Sequence, residues 1–208
     1  MHVPPHPRGL RVGLFGGSFN PAHAGHRHVA LLALKRLRLD RIWWLVSPGN
    51  PLKDNAALPT LAERVEAAAR LAAHPRIIVT GIEARIATAY TSDTVAWLRR
   101  HCPSVHFVWL MGADNLIGFH RWKQWRGLAA QVPIAVIDRP GGTLAASASR
   151  AARVLRPHEL DERDAPLLAT RPPPAFVFLH GPRLAVSSTL LRAETRVAPV
   201  DGTSQVRH

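Results

Sequence analysis

The chain has 208 residues, of which 47% are hydrophobic, an ordinary globular composition that excludes an intrinsically disordered chain. Its single cysteine excludes an intramolecular disulfide and a cysteine-based metal site, and is typical of a reducing, cytoplasmic compartment. The formal charge is +13, and of the 27 basic residues three are lysines and 24 are arginines, so the chain should attract polyanions such as nucleotides or nucleic acid.

Strands and helices alternate from the start of the chain. The apolar run 11–15 predicts a strand that leads directly into a glycine pair. A helix is predicted over 25–37 and a buried strand over 41–46, which a proline-rich turn ends. The sequence Thr-Leu-Ala-Glu at 60–63 is a capping box, which predicts an alanine-rich helix up to residue 73.

The alternation continues through the second half of the chain. Further strands are predicted at 76–80, 105–111, 132–137 and 176–179. Helices are predicted at 93–100 with Ser92 as the cap, in parts of 115–131, and after Ser187 or Ser188. The pattern predicts an α/β fold, a single Rossmann-like doubly wound domain with a mostly parallel sheet and helices on both faces. Ligands of such sheets bind beyond the carboxyl ends of the strands, near the point where the strand order reverses.

Composition suggests one folded domain at 10–197, between a flexible N-terminus at 1–9 and a C-terminal tail at 198–208. Within it, 141–175 is rich in Pro, Ala and Arg and is interpreted as a loop-rich insertion with one short helix near 147–155. The first nine residues hold three prolines and do not resemble a secretory signal.

The string Gly-Gly-Ser-Phe-Asn-Pro-Ala-His-Ala-Gly-His, which follows the first predicted strand, suggests an anion site. Gly16 and Gly17 allow main-chain amides to approach a ligand, and a helix N-terminus favours phosphate. His23 and His26 are three residues apart and share a face if the helix begins there. The alternative is a glycine turn followed by two ordinary surface histidines.

This string resembles the nucleotidyltransferase superfamily with a His-x-Gly-His signature, here His23-Ala24-Gly25-His26. The lead-in Gly-Gly-Ser-Phe-Asn-Pro is similar to that of the nicotinate mononucleotide adenylyltransferases of bacterial cofactor synthesis. Ala22 stands where that family usually has a second proline.

The resemblance extends to a Ser-x-Thr-x-x-Arg motif that holds the ATP phosphates, matched by Ser187, Thr189 and Arg192. Taken without the resemblance, that stretch is a helix cap followed by a solvated arginine. The family likeness implies an ATP-binding set of Gly16, Gly17, Ser18, Phe19, Ser187, Ser188, Thr189 and Arg139.

A second set of matches implies a site for nicotinate mononucleotide. It consists of Lys53, Tyr90, Thr91, Gly112, Asp114 and Trp122. In the family, Asp114 would bind ribose, Trp122 would stack on the nicotinate ring and Lys53 would contact phosphate. From the residues alone, Asp114 could be a helix cap, Lys53 an exposed loop residue, and Trp122 a core residue like Trp125.

The implied reaction joins ATP to nicotinate mononucleotide and releases pyrophosphate. The resemblance makes His23, His26 and Arg192 the catalytic residues: His26 stabilises the reacting phosphate, His23 positions phosphates and Arg192 holds the pyrophosphate. Mg²⁺ is expected with ATP, and no protein carboxylate cage for it is visible. The expected partners are these two small molecules, with neither a membrane nor a specific nucleic acid, and the oligomeric state, including a homodimer, stays open.

Two other functions fit parts of the sequence. Another enzyme of the same superfamily would use nicotinamide mononucleotide or a phosphopantetheine acceptor. A basic nucleic-acid-binding protein would explain the +13 charge, although the arginines are scattered rather than gathered into one stripe.

Overall fold

The computed structural model describes residues 3–49, 58–138 and 143–181, and in these ranges six parallel strands form one sheet. The strands are β1 (Arg11–Gly17), β2 (Arg41–Val46), β3 (Ile77–Thr80), β4 (His106–Gly112), β5 (Ile134–Ile137) and β6 (Phe176–Leu179). Their order is β3-β2-β1-β4-β5-β6, so the direction of winding reverses between β1 and β4. The predicted Rossmann-like α/β fold is confirmed.

The helices connect these strands and cover the sheet. They are α1 (Ala24–Arg36), α2 (Leu61–Ala72), α3 (Ile82–Arg85), α4 (Thr91–His101), α5 (Ala113–Gly118), α6 (Trp125–Ala129), α7 (Thr143–Ser147) and α8 (Arg150–Leu155). Short 3₁₀ segments span Phe119–Arg121, Arg156–His158 and Glu162–Thr170. No helix in the described ranges is long and apolar enough to cross a membrane.

Buried side chains leave the sheet on both faces, which is why helices are needed on both. On β2, Trp43 and Leu45 pack into one core, beneath α4 and α5, whereas Trp44 and Val46 pack into the other, beneath α1 and α2. All four side chains are fully buried.

The start of α4 differs from the prediction. Tyr90 is the N-cap and makes no side-chain capping bond, while Ser92 lies inside the first turn and is buried. The helix begins two residues earlier than predicted, so Ser92 is its second residue and not the cap, and its hydroxyl donates to the Asp93 carboxylate at 3.3 Å.

The described part of 141–175 is more regular than the loop-rich interpretation. Short helices and 3₁₀ segments fill most of 143–170, and α8 is capped by Ser149, which accepts from the main-chain N–H of Ala152. Residues 3–9 also depart from the expected flexible terminus, because Pro4 is buried and Val3 packs against the core. The final helix predicted after Ser187 or Ser188 lies outside the described residues.

Candidate active site

The candidate site lies at the carboxyl edge of the sheet, where the strand order reverses. β1 ends at Gly17 and continues into residues 18–23, which we call the β1 loop, while β4 ends beside it at Gly112. Parallel sheets of this kind leave a crevice between two such neighbouring connections. The histidine motif and the Gly112–Asp114 stretch are far apart in sequence. They lie close to each other because they follow the carboxyl ends of two adjacent strands.

His23 and His26 form the N-terminal cap of α1. His23 is the N-cap residue, and its Nδ1 accepts from the main-chain N–H of Gly25 at 3.1 Å. The Nδ1 of His26 accepts from the main-chain N–H of His23 at 3.2 Å. This reciprocal pair is a capping box in which imidazoles replace the usual Ser/Thr and Glu. The three-residue spacing thus has a structural use as well as the predicted chemical one.

The capping bonds determine which nitrogen of each ring can donate. An Nδ1 that accepts a hydrogen bond carries no proton, so the neutral ring carries its proton on Nε2. The two rings are held with their centroids 3.8 Å apart, at the positive end of the α1 dipole. His23 and His26 therefore present Nε2–H donors suited to anionic oxygens. The expectation of free main-chain amides is corrected for His23 and Gly25, whose N–H groups are used by the rings.

Phe19 fixes the β1 loop beneath the histidines. Its φ of 46° lies in the left-handed region, which is uncommon for a residue with a side chain. Phe19 is 2% exposed. Its ring stacks on the Trp44 ring with 5.0 Å between the ring centroids, and its centroid lies 4.9 Å from that of the His26 ring. This packing offsets the backbone strain, so Phe19 acts here as an anchor for the loop, and Ser18 beside it is half-buried.

The two glycines of the motif have different reasons to be there. A Cβ on Gly16 would lie 2.6 Å from Cη2 of Trp109, which no side chain tolerates. A Cβ on Gly17 would meet Phe19 at 3.4 Å, an ordinary contact. Neither glycine has a positive φ. Packing against the neighbouring strand therefore accounts for Gly16, and the predicted need for close approach of a ligand is not required to explain it.

Three side chains meet near the start of α4: Tyr90, which the sequence predicted for the site, and Asp93 and Lys123, which it did not. We call these three residues the Tyr90–Lys123 cluster. The Lys123 ammonium lies 4.1 Å from the centre of the Tyr90 ring and 3.4 Å from Oδ2 of Asp93. Tyr90 is 40% exposed, so this cation contact lies at the protein surface. Thr91, the first residue of α4, is half-buried next to it.

The stretch after β4 separates the alternatives that the sequence left open. Gly112 is the N-cap of α5, and no side chain caps this helix, so a capping role for Asp114 is not observed. Asp114 is exposed in the first turn. Trp125 is buried in the core, whereas Trp122 is only half-buried and meets the Trp109 ring at 6.2 Å. Trp122 is therefore more accessible to a ligand than Trp125.

Other predicted site residues lie outside the described residues. They are Lys53, Arg139, Ser187, Ser188, Thr189 and Arg192. Their roles remain predictions.

Two buried charged residues were missed by the sequence analysis. Arg64 is 3% exposed, and its position in line with the buried Ala68 and Ala72 of α2 was an available signal. Glu83 in α3 is 4% exposed and accepts from the Thr94 hydroxyl at 3.0 Å. Burial raises the pKa of the Glu83 carboxyl to about 7, although the Thr94 bond opposes that shift. No sequence pattern indicated that Glu83 would be buried.

The donors at the β1 end of the site suit an anion more than a cation. Within 3–49, 58–138 and 143–181, no three His, Cys, Asp or Glu side chains converge as metal ligands would. Imidazole N–H donors at a helix N-terminus attract phosphate oxygens and repel Mg²⁺.

Comparison with known proteins extends this description. Residues 14–194 match the cytidylyltransferase-like family over most of the chain. The chain belongs to the cytidylyltransferase-like family. The match begins inside β1 and includes both the histidine motif and the Tyr90–Lys123 cluster, so the geometry above belongs to the domain that defines this family.

Individual relatives are more specific. A probable nicotinate-nucleotide adenylyltransferase of Methylorubrum extorquens is 60% identical over 183 residues, which cover 88% of this chain and 99% of that one. A protein of the same name from Brucella suis biovar 1 is 55% identical, covering 88% and 94%. Among solved structures, Plasmodium falciparum nicotinic acid mononucleotide adenylyltransferase complexed with NaAD matches with a TM-score of 0.66, over 88% of this chain and 83% of that one. At 16% identity this last likeness concerns the fold.

Proposed function

We propose that this chain is a nicotinate-nucleotide adenylyltransferase, which transfers AMP from ATP to nicotinate mononucleotide and releases pyrophosphate in NAD biosynthesis. The observation that carries the proposal is the capping pair of His23 and His26 at the reversal point of the sheet, because the two Nδ1 bonds leave each neutral ring with its proton on Nε2. The names of relatives that are 55–60% identical over nearly their whole length support the same reaction.

The reaction needs little acid–base chemistry from the protein. The phosphate of the mononucleotide is mostly dianionic at neutral pH, because its second pKa is about 6, so it attacks without a general base. One of its oxygens forms a bond to the α-phosphorus of ATP, and the bond from that phosphorus to the bridging oxygen of pyrophosphate breaks. Position 20 is Asn, and the whole stretch from Gly16 to His26 contains no carboxylate that could serve as a base.

Catalysis therefore consists of alignment and charge stabilisation. His26 is half-buried, more open than His23 at 4% exposure, and is the better placed to follow charge that develops on the α-phosphate. The more deeply buried His23 would position the phosphates. In this proposal Arg192, with Ser187 and Thr189, holds the departing pyrophosphate.

The acceptor would occupy the side of the crevice next to β4 and α4. Asp114 would accept from ribose hydroxyls, and the half-buried Trp122 would stack on the pyridine ring. A pyridine carboxylate would compete with Asp93 for the Lys123 ammonium of the Tyr90–Lys123 cluster, whereas an uncharged carboxamide would not. This supports nicotinate rather than nicotinamide mononucleotide as the acceptor.

Mg²⁺ enters this proposal as part of the MgATP substrate. The donors beside the β1 loop are imidazoles and main-chain groups, whereas Mg²⁺ prefers phosphate and carboxylate oxygens. The ion would therefore bridge ATP oxygens and offset their charge. We also propose a cytoplasmic location, which fits the single reduced cysteine.

The decisive experiment incubates the purified chain with MgATP and either nicotinate or nicotinamide mononucleotide, and identifies the dinucleotide by mass. We expect nicotinate adenine dinucleotide, stoichiometric pyrophosphate and a slower reaction with the amide. Product from the amide alone, or from phosphopantetheine, would move the chain to another branch of the family. Absence of any dinucleotide, together with oligonucleotide binding that survives moderate salt, would favour the nucleic-acid alternative.

A further inference from the structure

Arg64 occupies a position where the packing of α2 alone would favour an apolar residue. It lies on the buried stripe of the helix with Ala68 and Ala72, four and eight residues further on, and is 3% exposed. Burying a charged group is costly unless hydrogen bonds satisfy it. The reason for Arg64 must therefore lie in what its guanidinium contacts.

The guanidinium donates to four main-chain carbonyl oxygens in two connections. Nη1 donates to Ser18 in the β1 loop at 2.8 Å and to Ser47 after β2 at 2.7 Å. Nη2 donates to Pro48 at 3.0 Å, and Nε donates to Pro59, just before α2, at 3.0 Å. One side chain thus joins the β1 loop to both ends of the connection between β2 and α2.

The charge of Arg64 is not balanced by an ion pair in the part of the chain that the structure describes. All four acceptors are neutral carbonyls. Burial lowers the pKa of the guanidinium, but the ordinary pKa of arginine lies so far above neutral that the group stays protonated. Arg64 therefore keeps its full set of donors, which a rigid planar fork directs at fixed angles.

We propose that Arg64 is a positioning residue that holds the β1 loop in the geometry in which His23 and His26 meet the substrate phosphates. Ser18 lies between the glycine pair and the histidines, so a hydrogen bond to its carbonyl oxygen directly restrains the main chain of the β1 loop. A main-chain bond from Ser47 to Gly17 at 3.0 Å runs between the same two connections and leaves Arg64 to fix the next residue. The inference deepens the proposed function and rests on it.

The test compares R64A with wild type at a temperature well below the melting temperature of both. We expect kcat/KM for ATP to fall about 100-fold, the typical consequence of misplacing reacting groups by about 1 Å. Guanidinium chloride at a non-denaturing concentration should restore part of this loss, while sodium chloride at equal ionic strength should not. R70A is the matched control, because Arg70 is on the same helix, is exposed and pairs with the exposed Glu66; it should keep wild-type kinetics.

R64K decides the matter if R64A does not fold. Lysine keeps the charge but offers three donors from one point, so it cannot reach all four carbonyls, and we expect at least a tenfold loss of kcat/KM in variant protein that is folded at the assay temperature. Wild-type kcat/KM in folded R64A or R64K, or a loss in folded R64A that guanidinium does not relieve, overturns the inference. An inactive wild type in the same assay would instead reject the proposed function.

Discussion

The histidine pair and the Tyr90–Lys123 cluster differ in how firmly the protein holds them before substrate arrives. His23 is 4% exposed, and both imidazoles are bonded to main-chain N–H groups of α1. Tyr90 is 40% exposed, and Lys123 reaches it and Asp93 through contacts of 4.1 and 3.4 Å between half-exposed side chains.

The difference indicates a site that is built in advance at one end and open at the other. Main-chain bonds and buried rings leave the histidines little freedom, so substrate binding need not order them. Contacts between exposed charged side chains contribute little to stability, so a ligand can replace them at small cost. The predictions below test this contrast, from the largest expected effect to the smallest.

Substitution at the pre-built end should have the largest effect on turnover. We expect His26→Ala to lower kcat by about 10²–10³-fold, because a transition-state hydrogen-bond donor is lost from a preorganised position. Steady-state kinetics with MgATP and nicotinate mononucleotide measure this. His106→Ala, an exposed histidine at the opposite edge of the sheet, should leave kcat unchanged. Unchanged kcat in folded His26→Ala would show that the preorganised histidine pair matters no more for turnover than the exposed Tyr90–Lys123 cluster.

Glu83 should make the region behind the Tyr90–Lys123 cluster sensitive to pH. Its carboxyl has a pKa of about 7 in the fold against 4.5 ordinarily, so the native state binds the proton more tightly. The stability from this group is therefore present below pH 4.5 and is lost as pH rises through about 7, with a limit of about 3 kcal/mol.

Glu83→Gln should abolish that part of the pH dependence. Urea unfolding at pH 5 and pH 8 should show a smaller loss of unfolding free energy in the variant than in wild type. Glu66→Gln, which alters an exposed carboxyl on α2, should keep the wild-type slope. Equal slopes for Glu83→Gln and wild type would show that burial of Glu83 does not perturb its titration.

Gly16→Ala should lower stability by about 1–3 kcal/mol, because its Cβ would overlap the Trp109 ring at 2.6 Å. Trp109→Phe in the same chain should recover part of the loss, which a double-mutant cycle of unfolding free energies measures. Gly127→Ala, whose Cβ would lie 3.9 Å from the Cβ of Gln124, should be tolerated. Additive effects of the Gly16 and Trp109 changes would contradict the packing explanation.

Lys123→Ala should have the smallest effect. Its half-exposed ammonium contributes less than about 1 kcal/mol, so KM for nicotinate mononucleotide should rise a few-fold while KM for ATP stays constant. The preference for the nicotinate over the nicotinamide acceptor should narrow by the same factor. Lys35→Ala, an exposed lysine near the end of α1, is the control. If KM for ATP changed more than KM for nicotinate mononucleotide, Lys123 would instead belong to the ATP side of the site, near the histidine pair.

Local chemistry made much of the fold predictable. The bounds predicted for β2 and β6 agree with the structure, and the Thr60–Glu63 capping box begins α2 as expected. Each of these signals depends on a few neighbouring residues, because a run of apolar side chains or a cap is complete within one short segment. Ser92 is not the cap of α4 because the helix already begins at Thr91, a boundary that the preference of serine for cap positions does not decide.

The histidine motif could be predicted from the sequence because His23, Gly25 and His26 interact within four residues. Which nitrogen each ring presents was decided by the capping bonds, and Gly16 was decided by Trp109 on another strand. Arg64 reaches Ser18 across 46 residues of chain, and no local pattern carries such a contact. The sequence by itself therefore determined the order of elements and the kind of ligand, whereas only tertiary packing decided which groups hold the site in place.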